Sequence, residues 1–236
     1  MINIQKLIEE ANENGYQGDK ASAKVCQDIV LKALSVGPLS RNVTIKGGVV
    51  MRSKTNNVRR ATQDLDIDFI KYSLADESID AFISKLNCLD GIKISRLGKI
   101  EELKQQDYSG KQVFILIEDT EGNQVRSKID LGVHNRFELE QEEYCFDIAY
   151  DDEGASLLIN SDEQMLAEKL MVALDTYIFN DTTMKENTGN DIVRRLKIAF
   201  SDKSYIHRLD TSDKRWIDEE IGVVTEGILE FMGKFC

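Results

Sequence analysis

The segment Thr62-Gln63-Asp64-Leu65-Asp66-Ile67-Asp68-Phe69-Ile70 alternates carboxylates with large apolar residues. A β-strand has a side-chain period of two, so Asp64, Asp66 and Asp68 share one face while Leu65, Ile67 and Phe69 share the other. The apolar set anchors the strand on a core. The acidic set makes a row of like charges, each roughly 6–7 Å from the next, which repels itself unless something cationic lies beside it. An EF-hand calcium loop would need a glycine at its sixth position and a glutamate at its twelfth. Phe69 and Ala75 occupy those positions, so that chemistry is set aside. A divalent-metal site for phosphate chemistry fits better. Mg2+ takes hard oxygen ligands, and two carboxylates two residues apart on a strand can share one or two ions with water and substrate phosphates.

Asp130, in Ser127-Lys128-Ile129-Asp130-Leu131, is the candidate third carboxylate, because Ile129 and Leu131 again oppose it along a strand pattern. Upstream, Lys46-Gly47-Gly48-Val49-Val50-Met51 joins a short strand to a helix start through paired glycines. That arrangement lets backbone N–H groups approach a phosphate without Cβ obstruction, although a plain turn explains a Gly-Gly pair as well. The surrounding charge adds weight. Between residues 41 and 63 there are six basic residues (Arg41, Lys46, Arg52, Lys54, Arg59, Arg60) and no acidic one. Arg52, Lys54, Arg59 and Arg60 are placed in sequence to neutralise a triphosphate or a nucleic-acid backbone. Thr62 has two readings, one that bonds phosphate or orients Asp64 and one that only starts the strand. Asp68 suits a supporting position more than direct ligation.

The elements that must position these residues follow from periodicity. Residues 2–14 and 22–34 read as helices, the second with Val25, Ile29, Val30 and Ala33 at helical spacing and Gly37-Pro38 as its stop. Strands are expected at 43–45, 65–70, 92–97, 113–118 and 125–131, with a hairpin turn at Asp119-Thr120-Glu121-Gly122-Asn123. Residues 78–89 read as a helix. After about residue 155 the pattern turns helical, with helices at 162–178, 191–200 and 213–235. Strands mixed with helices followed by helices alone indicate an α+β domain over 1–155 and a helical domain over 156–236.

The 236 residues are 42% hydrophobic, which argues for a folded chain with a substantial core. No run of about 18 apolar residues and no signal pattern is visible, so a soluble, cytoplasmic protein without a membrane role is expected. Cys26, Cys88, Cys145 and Cys236 are far apart, as reduced thiols would be. The net charge of −12 works against a polyanionic partner, but it is unevenly spread, with eight acidic and no basic residues over 138–153. That block is either a solvated face or a surface for a basic partner. His134 and His207 are the only histidines, and neither completes a Ser-His-Asp or Cys-His arrangement.

Taken in order, Lys46-Gly47-Gly48, Arg60-Ala61-Thr62-Gln63-Asp64-Leu65-Asp66, Lys128-Ile129-Asp130 and Glu163-Gln164-Met165-Leu166-Ala167-Glu168-Lys169-Leu170 resemble the AbiEii-type nucleotidyltransferase toxins. These are a branch of the DNA-polymerase-β-like nucleotidyltransferase superfamily. The resemblance runs from about residue 43 to 200. It implies a polymerase-β-like domain with a mixed sheet and transfer of a nucleoside monophosphate from an NTP, with Mg2+ (or Mn2+) and release of pyrophosphate. The implied acceptor is RNA, at the tRNA 3′ end, and an antitoxin is the implied partner. Under this resemblance Gly47 and Gly48 cradle the triphosphate, and Asp64, Asp66 and Asp130 bind metal; Lys46, Arg59, Arg60 and Thr62 are the further candidates for binding phosphate. Asp130 also helps to activate the acceptor hydroxyl, and Lys169 reaches the β- and γ-phosphates. The family's last motif, Lys-Asp-x-x-Asp, is reduced here to one aspartate in Asn190-Asp191-Ile192-Val193-Arg194, so Asp191 is a site residue without an assigned role. Two alternatives keep the same fold: a nucleotidyltransferase acting on an antibiotic, and a catalytically silent binding module. The intact Asp64, Asp66 and Asp130 argue against the second.

Overall fold

The amphipathic start of the chain folds as α1 (Ile4–Glu13), where Asn3 accepts a hydrogen bond from the Lys6 amide at 2.8 Å and Ile4, Leu7 and Ala11 are buried. The next helix, α2 (Asp19–Val36), is buried on several sides, including Val25, Cys26, Ile29, Val30, Ala33 and Leu34. It lies between α1 and a sheet. This computed structural model describes residues 2–56, 58, 62–103, 110–133, 141–162, 165, 189–211 and 220–233. The chain divides into two units, Met1–Ser161 and Asp162–Cys236.

In the first unit the further elements are β1 (Val43–Lys46), α3 (Gly47–Thr55), β2 (Asp64–Phe69), α4 (Asp76–Lys85), β3 (Ile92–Leu103), β4 (Gly110–Asp119), β5 (Gln124–Val133), β6 (Glu142–Ile148) and β7 (Asp151–Ile159). The strands form one mixed sheet in the order β3-β4-β5-β2-β1-β7-β6. The β2–β5 and β1–β7 pairs are parallel and the other pairs antiparallel. Alternation works as the sequence suggests. Ile45, Leu65, Ile67, Phe69, Val113, Ile115, Ile117, Ile129 and Leu131 are all at most 1% exposed. They form the face that α2 and α4 cover; Phe82 of α4, for instance, meets Phe69 edge-on at 4.9 Å. Burying that set supplies most of the unit's stabilisation, at roughly 1.5–3 kcal/mol per large side chain.

The turn between β4 and β5 is tied to α1 by one carboxylate. Asp119 accepts hydrogen bonds from the amides of Glu121 and Asn123, the Asn123 side chain and the Ile4 amide, each at 2.9 Å.

The pairing of β6 with β7 corrects the expectation of helical pattern from about residue 155. Along β6 and β7 only Phe146, Ile148, Ala155, Leu157 and Ile159 are buried. The carboxylates between them obscure the alternation. The acidic block is partly spent inside the unit, because Glu142 pairs with Lys54 at 3.2 Å and Glu143 with Arg41 at 3.4 Å. Charges segregated along the sequence are thus recombined by the sheet.

The described helices of the second unit are α5 (Gly189–Ser201), α6 (Lys203–Asp210) and α7 (Ile221–Gly233), and α5 packs on both of the others. Helix α6 was not expected, and the helix expected over 213–235 is described only as α7. The helix expected at 162–178 lies outside the described residues except at 162 and 165. No described helix is long and apolar enough to cross a membrane.

Candidate active site

The acidic row of β2 lies on the face opposite the core. Its two outer members each meet a lysine from a different neighbouring strand. On one side, Lys128 of β5 places its ammonium 3.2 Å from Asp64 Oδ2 and 3.5 Å from Asp130 Oδ2. On the other, Lys46 of β1 places its ammonium 2.8 Å from Asp68 Oδ1. The repulsion that the sequence raises is answered by these two cations. Burial alone would lower the Lys128 pKa, but the hydrogen bond to Asp64 and the charge of Asp130 outweigh it and hold the pKa above the ordinary lysine value.

Asp66 lies between the two lysines, and strand register sets its neighbours. It is aligned with Asp130 across the parallel β2–β5 pair, and with Lys46 across the antiparallel β1–β2 pair. Asp64, Asp66 and Asp130 therefore share one face of two adjacent strands. Asp130 is oriented from its other side by Gln112 of β4, whose Nε2 donates to Asp130 Oδ1 at 2.8 Å.

The glycine turn closes against this cluster. Gly47 has φ +69°, and a Cβ placed on it would fall 2.0 Å from Asp66 Oδ2. A side chain is excluded there by both backbone conformation and space. Gly48 packs against Thr62, whose Cβ and Cγ2 would both be 2.9 Å from an added Cβ. Helix α3 begins at this turn, with Lys46 at its N-cap making no side-chain cap bond. The first amides of α3 thus have no cap from that side chain and lie beside Asp66. The Thr62 hydroxyl accepts from the Asp64 amide at 3.3 Å, the orienting contact open to it at the strand start.

Two buried side chains hold the site in place, one without a sequence signal and one whose charge pointed elsewhere. Gln27, fully buried on α2, donates from Nε2 to the Thr62 and Asp64 carbonyls at 3.0 and 3.3 Å. Arg52 donates from Nη1 to Gln27 Oε1 at 2.6 Å and stacks over the Tyr16 ring at 5.8 Å. At 4% exposure Arg52 is an interior strut and no ligand for triphosphate, which corrects its assignment to the basic face. Lys54 is likewise engaged with Glu142. Gly132 is a further residue found only by register. It is aligned with Asp68, and a Cβ on it would fall 2.1 Å from Asp68 Oδ1. Arg59, Arg60, Lys169 and His134 lie outside the described residues, as does the side chain of Asp191 on α5.

Among the described residues no three Asp, Glu, His or Cys side chains are gathered as a ready cage for a metal ion. The position between Asp64 and Asp130 is taken by the Lys128 ammonium. A cation bridging two carboxylates of adjacent strands shows that this pair already binds positive charge. The donor atoms of Asp64, Asp66 and Asp130 are all oxygen, the ligand type that Mg2+ takes.

Cys26, Cys88 and Cys145 are free, and burial pushes the Cys26 thiol up to about 12.

Residues 29–188 match the family described as nucleotidyl transferase AbiEii toxin, Type IV TA system. Comparison with curated proteins gives no match.

Proposed function

The chain belongs to the AbiEii family of nucleotidyl transferase toxins of type IV toxin–antitoxin systems, and from that membership we propose that it moves a nucleoside monophosphate from an NTP to an RNA acceptor, the tRNA 3′ end. The observation that carries this reading is the alignment of Asp66 with Asp130 on one face, with Gly47 pressed against Asp66. The phosphate-receiving amides and the carboxylates are thereby within reach of one triphosphate.

The chain's own groups divide the work. The amides at the start of α3 receive the β- and γ-phosphates, because Gly47 and Gly48 leave the backbone uncovered. Asp130, fixed by Gln112, faces the acceptor hydroxyl and takes its proton as the oxygen attacks the α-phosphorus. The bond from the α-phosphorus to the bridging oxygen breaks in line, and pyrophosphate leaves. Lys128 holds the cluster together before substrate arrives and then turns to the phosphate charge. Lys46, kept by Asp68, limits the negative charge of the row. Asp64, Asp66 and Asp130 are the residues that would hold Mg2+, which would supply electrophilic stabilisation of the phosphoryl charge and of the leaving pyrophosphate. The family pattern assigns Lys169 to the β- and γ-phosphates as well.

The test is direct. The purified protein is incubated with each α-labelled NTP, Mg2+ and total tRNA, and the RNA is resolved on a denaturing gel. Label is expected on tRNA from one NTP in preference to the others. Transfer to an aminoglycoside in place of RNA would move the reading to the antibiotic-modifying alternative, and no transfer to either would refute it.

A further inference from the structure

The sheet face that carries the carboxylates extends beyond them. Strand register carries one row across it: Asp64 on β2, Lys128 on β5, Phe114 on β4 and Leu97 on β3. The next row, on the side away from Asp130, places Arg126, Leu116 and Ser95. Phe114 is 41% exposed, whereas Phe69, Phe82 and Phe146 are fully buried. Arg126 is exposed and Leu97 and Leu116 are half-buried. Phe114 is thus the one phenylalanine among these four that offers part of its ring to solvent.

Beside Phe114 the pairing of β3 with β4 slips between Leu97 and Glu101, where Gly98 has φ +67° and open space at its Cβ position. Bulges of this kind bend a strand away and are frequent next to binding sites. Phe114 stands opposite Lys128 of β5, with Arg126 on one diagonal and Asp130 on the other, in a chain of net charge −12. An exposed ring beside a lysine and an arginine of the adjacent strand can take a nucleobase on the ring and its phosphate on the cations.

Position decides which nucleotide this is. Phe114 lies two strand spacings from Asp64, about 10 Å, which is the reach of one nucleotide from phosphate across sugar to base. The glycine turn lies on the β1 side of the carboxylates, and Phe114 lies on the opposite, β4 side. We infer that Phe114, with Arg126 and Lys128, stacks an unpaired base of the acceptor RNA, leaving the NTP on the β1 side. This rests on the RNA-acceptor reading above, which it extends to a named subsite.

Fluorescence anisotropy of labelled tRNA, read without NTP, measures the platform apart from catalysis. Phe114→Ala is expected to weaken tRNA binding about ten-fold, and Phe114→Trp to retain it. Steady-state transfer then separates the two substrates: Phe114→Ala raises the KM for tRNA by a similar factor and leaves the KM for NTP unchanged. Because the ring is only partly covered, the thermal midpoint falls by no more than a few degrees. Unchanged tRNA binding by Phe114→Ala overturns the inference, as does a rise in the NTP KM alone. So does loss of inhibition by an antitoxin protein with RNA binding intact, which would give this face to a protein. Absence of transfer by the wild type, with tRNA binding still sensitive to Phe114, would count against the reaction and leave the platform standing.

Discussion

A methyl group added at Gly47 perturbs the glycine turn and the acidic row together. The residue holds φ +69°, a conformation that costs an L-residue about 1–2 kcal/mol. The new Cβ would lie 2.0 Å from Asp66 Oδ2 and 2.9 Å from its Cγ, where ordinary contact begins at 3.4 Å. The carboxylate must therefore retreat by more than an ångström, or the turn must open by as much. A displacement of about 1 Å in a reacting array costs on the order of 100-fold in rate. Gly47→Ala is thus expected to lose about two orders of magnitude in transfer of labelled nucleotide, with a thermal midpoint lowered by roughly 2–8 °C. Gly122→Ala is the matched control. Gly122 has φ +83° in the β4–β5 turn with nothing within 4 Å of its Cβ position, so it incurs the backbone cost without the clash. It should lose similar stability and keep its activity. A Gly47→Ala protein that transfers at the wild-type rate would refute the reasoning.

Three other perturbations separate support from chemistry. Arg52→Met leaves Gln27 Oε1 without its buried donor, so it should destabilise by about 2 kcal/mol, read as a lower midpoint in thermal unfolding; unchanged stability would return Arg52 to the list of ligand residues. Asp119→Ala removes the acceptor of four hydrogen bonds and should cost about 2–3 kcal/mol near neutral pH, measured by urea unfolding. Burial alone would raise the Asp119 pKa, but those hydrogen bonds hold it below the ordinary carboxylate value. Its contribution is therefore present above the unfolded pKa of about 3.9 and is lost as pH falls through the folded one, so the variant should show a shallower loss of stability in acid. Lys169→Ala should raise the NTP concentration needed for half-maximal transfer with the midpoint of unfolding unchanged; an unaltered NTP dependence would remove its phosphate role.

The acidic row was legible because a strand's period of two is visible in six residues, and Asp130 because Ile129 and Leu131 repeat the same signal. The glycine pair was legible as a turn. What pressed against it was not, since the approach of Asp66 depends on how β1 and β2 align. The partners of the two lysines are hidden for the same reason. Lys128 is adjacent to Asp130 in sequence pattern but reaches Asp64 only through a parallel pairing of distant strands. Gln27 and Arg52 have the composition of surface residues, and tertiary packing turned them inward. On β6 and β7 solvent-facing carboxylates diluted the apolar alternation, so two strands were missed.

The shared claim of the site is that aspartates of β2 and β5 bind one divalent cluster in place of the Lys128 ammonium. Electron paramagnetic resonance of Mn2+ titrated into the protein with a non-hydrolysable NTP analogue tests this most directly. Asp66→Asn and Asp130→Asn, one from each strand, should each weaken Mn2+ binding ten-fold or more while the fold is kept. Mn2+ affinity unchanged in both variants would contradict the account.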